Sequence, residues 1–152
     1  MAAPGSPAVS RRTERAFFGG MAALIAATAF LGFARTYYLR ALVDAPSPPL
    51  PTLTPLLHVH GVLFSAWVVL LFAQSRLVAA GRIDLHRRLG IAGAALAVLM
   101  IVVGTLTALQ GVLRGVSPGG IDPRRFLAVP LFALLVFGLL LFAGIRARRD
   151  PQ

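Results

Sequence analysis

The sequence predicts an all-α integral membrane protein, a four-helix bundle running up-down-up-down with both termini on the cytoplasmic side. Three observations carry this expectation. Hydrophobic residues make up 57% of the 152-residue chain, and mean hydropathy is +0.80. The charges, 15 arginines and 5 acids with no lysine, all fall outside four uncharged stretches. Those stretches, 16–34, 56–75, 89–113 and 126–145, hold 19, 20, 25 and 20 residues. At ~1.5 Å of rise per residue, about 20 apolar residues cross a ~30 Å hydrocarbon core. The balance excludes a water-soluble domain, a disordered tail and a collagen-like repeat.

The helices are expected over about 16–38, 56–79, 87–113 and 126–146. They form one transmembrane domain, 16–146, between a 1–15 N-terminal tail and a 147–152 C-terminal tail. The first apolar run follows Arg11, Arg12 and Arg15 and contains Ala27-Thr28-Ala29, which has the small-x-small form of a signal cleavage site. It continues through Ala34 to Arg35 and Tyr37-Tyr38, a full span with an interfacial end, so an uncleaved helix is expected. Ser10-Arg11-Arg12 resembles a twin-arginine signal, but Thr13-Glu14-Arg15 stands where hydrophobic residues belong.

The connection over 41–55 holds Pro46, Pro48, Pro49, Pro51 and Pro55, five of the eleven prolines. Locked φ angles make it an extended strap and spacer. Beyond the third helix, Ser117-Pro118-Gly119-Gly120 signals a turn, and Asp122 with Arg124 and Arg125 reads as a solvated surface cluster. Pro130 stands near the start of the fourth helix, where a missing N–H costs least.

Arginine placement sets the expected orientation. Arg11, Arg12, Arg15, Arg76, Arg82, Arg87, Arg88, Arg146, Arg148 and Arg149 lie on one side, and Arg35, Arg40, Arg114, Arg124 and Arg125 on the other. Ten against five puts the termini and the 76–88 connection in the cytoplasm. This use of the basic charge removes the nucleic-acid partner that a pI of 11.9 suggests. The lipid bilayer is the expected partner. Gly19, Gly20, Ala23 and Ala27 on the first helix, and Gly90, Gly93, Ala94 and Ala97 on the third, predict close packing of these two helices, with dimerisation as the alternative.

The chemistry is narrowly bounded. With no cysteine there is no disulfide, iron–sulfur cluster, thiolate metal site or c-type haem attachment. Glu14 is the only glutamate and no uncharged stretch holds an acid, which argues against a carboxylate proton relay. No nucleophile–base–orienter set is present, so a catalytic role is not expected.

Three histidines remain. At 100° per residue, Phe64, Trp67, Leu71 and Gln74 fall within about 40° of His60, a stripe expected to face the protein interior. His58 is about 200° from His60 and faces elsewhere on a helix. An i, i+2 pair cannot converge on one ion from a helix, and the i, i+4 zinc pattern is missing. His58 and His60 remain metal-ligand candidates only with other ligands or in extended backbone. His86, in Asp84-Leu85-His86-Arg87-Arg88-Leu89-Gly90, lies at the other side of the membrane. About 20 residues of helix separate His60 from the end of the second helix, ~30 Å, so one haem cannot bridge His60 and His86.

Two separate sites follow. The outer one groups His58 and His60 with Tyr37, Tyr38 and Gln110, donors that suit a quinone headgroup, a metal ion, or one haem with a second ligand other than histidine. The inner one groups Gln74, His86, Asp84, Arg87 and Arg88, with Asp84 orienting the imidazole and the arginines holding an anion. Plainer readings stand beside both: Tyr37-Tyr38 as an aromatic belt, Arg87 and Arg88 snorkelling to lipid phosphates, and Asp84 capping the third helix.

The pattern His58-Val59-His60-Gly61, Trp67, Gln74 and Leu85-His86-Arg87-Arg88-Leu89-Gly90 resembles small bacterial four-helix membrane proteins of uncharacterised function. In these a histidine opens the second helix and a His-Arg-x-Leu-Gly segment leads into the third. The likeness covers about 35 residues, under a quarter of the chain. It implies a multi-pass location in the bacterial inner membrane and supports four helices. A looser similarity, on membrane histidines alone, is to four-helix assembly factors of haem–copper oxidases. The function expected is a non-enzymatic accessory or interaction subunit with a membrane-protein partner or a second copy. The alternative is a redox-linked protein binding haem, quinone or a metal ion through His58 and His60.

Overall fold

Proline at a first helical position gives up an N–H that has no partner there, and Pro7 opens the first helix, α1 (Pro7–Phe33). The computed structural model describes residues 7–42 and 52–147. Helix α1 starts well before the expected 16. Arginine and glutamate are good helix formers, so the backbone stays helical through a region too charged to enter lipid. The tail expected over 1–15 is thus helical from Pro7 on. The same helix continues into a single π-helical turn, Ala34–Tyr38, closed by the Leu39 amide donating to the Ala34 carbonyl at 2.7 Å.

Helix α2 (Pro55–Ala79) begins behind Thr54, whose hydroxyl oxygen accepts from the Leu57 amide at 3.3 Å. Its end is fixed by Gly81, at φ 72°. The Gly81 amide donates to the Val78 carbonyl and the Arg82 amide to the Leu77 carbonyl, a Schellman closure that needs the left-handed region glycine tolerates. Helix α3 (Ile83–Leu113) then starts at once and covers His86, Arg87 and Arg88. Asp84 lies inside its first turn rather than at the cap, where its carboxylate still faces the positive helix end. Gly115, at φ 63°, closes α3 by the same pair of bonds, Gly115 to Val112 and Val116 to Gly111.

A 3-10 turn, Pro118–Gly120, confirms the turn signal. Asp122 is not merely a solvated charge: its carboxylate accepts from the amides of Arg124 (2.9 Å) and Arg125 (3.1 Å) and caps the short α4 (Pro123–Phe126). Leu127 keeps helical dihedrals (φ −55°, ψ −30°) and its amide donates to the Pro123 carbonyl at 3.1 Å, so the chain runs on into α5 (Ala128–Ala147). Pro130 has no N–H for the Phe126 carbonyl and its ring crowds that oxygen, so one helical bond is lost at this point.

Four segments, Thr13–Tyr38, Pro55–Ala79, Ile83–Leu113 and Pro123–Ala147, are long and apolar enough to cross a membrane. No strand occurs among the described residues. Exposure follows the same logic. Among the described residues Ala22, Val68 and Ala97 are the buried apolar side chains, while Leu31, Leu113, Phe132 and Leu140 are at least two-thirds exposed. Such an apolar exterior suits a multi-pass membrane protein, whose solvent is hydrocarbon.

The described residues fall into two compact units. One comprises α1 with its π turn, α2 from Ser65 and α3 up to Gly93. Within it Gly93 meets Leu70: a Cβ at Gly93 lies 2.9 Å from Leu70 Cδ2. The expected small-residue contact of α1 does not form. A Cβ at Gly19 or Gly20 meets nothing within 4 Å, and Gly20, Ala23 and Ala27 are exposed. The other unit comprises α2 up to Phe64, α3 from Ala94, α4 and α5. There Gly104 lets Leu134 of α5 approach, at 3.0 Å from a built Cβ, and Thr105 and Thr107 return their hydroxyls to the Ile101 and Val103 carbonyls.

Candidate functional site

Residues of the expected outer site divide between the units. In one, Thr54 and Gln110 form the centre of a polar clasp. The Thr54 hydroxyl donates to Gln110 Oε1 at 2.7 Å, and just past the end of α3 Arg114 donates to the Thr52 carbonyl (3.1 Å) and hydroxyl (2.9 Å). Gln110, expected as a ligand donor, uses its Oε1 to hold the start of α2 against α3. Helical backbone carries both histidines, so the i, i+2 geometry applies. His58 is exposed on the face that also presents Val62, Val69 and Arg76, whereas His60 is half-buried. No group of three His, Cys, Asp or Glu side chains able to hold a metal ion occurs among the described residues.

Tyr37 and Tyr38 belong to the other unit. The π turn displaces them from regular α-helical register and stacks them edge to face, with centroids 5.2 Å apart. Tyr38 also lies 5.3 Å from Phe30, and its hydroxyl is 2.6 Å from that of Ser65. Its polar end thus ties α1 to α2. In the stripe through His60, the side chains of Phe64, Trp67 and Gln74 are half-buried and Leu71 is 37% exposed.

The inner residues present a different picture. Gln74 and His86 border one cavity of about 590 Å³, together with Glu14, Arg15 and Phe18 of α1 and Ser75 of α2. One turn and one interhelical bond bring them together. The Schellman end of α2 reverses the chain within three residues, and the Ser75 hydroxyl donates to the Phe18 carbonyl at 3.3 Å, fixing α1 beside α2. Gln74 Oε1 and His86 Nδ1 are buried and have no hydrogen-bond partner. Leaving such an atom unpaired costs about 1–3 kcal/mol. Asp84 does not orient the imidazole through Nδ1. Asp84, Arg87 and Arg88 are exposed and none of the three lines the cavity, so the expected inner group is only half assembled.

Sequence reasoning missed Thr54, Arg114, Ser65, Ser75 and the lining role of Glu14 and Arg15. Thr54-Pro55 is a cap followed by proline at the first helical position, a readable signal. The others depend on which helix faces which, and no local pattern encodes that. Comparison with protein-family models, curated proteins and solved structures finds no match.

Proposed function

We propose that this is a multi-pass protein of the bacterial inner membrane, a bundle with both termini in the cytoplasm, acting as a non-enzymatic accessory or interaction subunit. The observation that carries the reading is the open face of α1. Gly20, Ala23 and Ala27 fall within about 60° of one another around the helix and are exposed. Small residues at this spacing let a second backbone come close in lipid, where packing and not apolar burial drives association. The partner is another membrane helix, from a second copy or a different protein. Orientation is supported by the ten-to-five division of arginines.

The chain has no cysteine, so single cysteines report contacts without background. Ala23→Cys and Ala27→Cys, expressed in bacterial membranes and treated with a short thiol or thiol-to-amine crosslinker, are expected to give a higher-mass adduct. Ile25→Cys, on the other side of α1, should give little. Equal crosslinking at all three positions, or none, defeats the proposal.

A further inference from the structure

We infer that the cavity between α1, α2 and the start of α3 is a binding site for an amphiphile whose head carries hydroxyl groups, a quinol ring or a polyol lipid headgroup. The site is distinct from the α1 contact face. Its volume, about 590 Å³, falls in the range of small-molecule sites, ~300–1,000 Å³. Phe18, Leu71, Val78 and Ile83 supply apolar wall for a tail. Gln74 Oε1 and His86 Nδ1 supply two buried polar atoms that no protein group satisfies.

The chemistry of these atoms selects the head. A carboxamide oxygen only accepts, so its ligand must donate. The imidazole nitrogen accepts or donates according to tautomer, and a hydroxyl answers either. An ammonium head would also donate, but it cannot accept from an Nδ1–H, so it answers only one tautomer of His86. A bare anion satisfies Arg15 but not Gln74 Oε1. Glu14 beside Arg15 leaves the rim without net charge. A hydroxyl-bearing head on an apolar tail fits every one of these terms. Both sources, a quinol and a polyol lipid such as phosphatidylglycerol, present this chemistry.

The test uses the full chain in nanodiscs of phosphatidylcholine. One arm titrates decylubiquinol under argon. The other offers equal phosphatidylglycerol and phosphatidylcholine and measures retained lipid by native mass spectrometry. Saturable binding in either arm, weakened about tenfold by Gln74→Leu and by His86→Leu and unchanged by His60→Leu, is expected, and the responding arm identifies the source. Gln74→Leu should leave thermal stability of the ligand-free protein equal or higher, because it removes an unpaired buried atom. Val78→Trp keeps both polar groups and fills the cavity; it is expected to abolish binding and keeps the test decisive if a leucine variant misfolds. Failure of both probes to bind selectively, or binding in Gln74→Leu, His86→Leu and Val78→Trp within about twofold of the parent, overturns the inference.

Discussion

The side chain of Thr54 joins two helices to one another: it caps α2 by accepting from Leu57 and donates to Gln110 Oε1 of α3 at 2.7 Å. Removing it costs both interactions. Thr54→Ala is expected to destabilise the protein in bicelles by about 1–2 kcal/mol, a cap of ~1 plus an interhelical bond of ~0.6. Thr54→Ser should be nearly neutral. In a double-mutant cycle Gln110→Leu should cost less in the Thr54→Ala background; full additivity contradicts the bond.

Glycines should divide by what stands beside them. Gly93→Leu has to displace Leu70, so a loss of about 3 kcal/mol is expected, with partial rescue by Leu70→Ala. Gly144→Ala meets nothing within 4 Å and removes a flexible residue from the interior of α5, for a gain of about 0.5–1 kcal/mol. Thermal unfolding of the two variants beside the parent decides the matter.

Asp122 is expected to matter as a cap and not as a charge. Asp122→Asn keeps an acceptor for the Arg124 and Arg125 amides and should unfold close to the parent. Asp122→Ala leaves those amides without it and should lose about 1 kcal/mol. Equal losses in the two variants would falsify the capping role.

Orientation has a direct readout. Reporter fusions at Gln152 and within 41–55 are expected on opposite sides, with Gln152 cytoplasmic. A periplasmic Gln152 reverses the arginine argument.

The spans were legible because hydropathy is a one-dimensional property: length and absence of charge suffice. The stretches 56–75 and 89–113 fall inside α2 and α3, and only the ends differ. Ends depend on local bonding that charge counting ignores, as the extension of α1 to Pro7 and of α3 to Ile83 shows. His58 was correctly separated from His60, since that separation is helical geometry. Partners across helices were not readable. Gln110 and Gln74 look alike in sequence, yet one is bonded to Thr54 and the other has a buried, unpaired oxygen. The Pro-rich strap expected over 41–55 lies largely outside the described residues, and the C-terminal tail from 148 entirely so.

The closure at Gly81 has an electrostatic consequence. Because Ala80, Gly81 and Arg82 alone join α2 to α3, Arg76, Arg82, Arg87 and Arg88 sit on a stiff corner rather than a wandering loop. Against an anionic leaflet each is worth about 1 kcal/mol. Four such charges on one rigid piece respond to the surface potential together. Whichever leaflet this corner meets, lipid composition there acts on the tilt of α2 and α3 as a pair, and raised salt, by shortening the screening length, relaxes both at once.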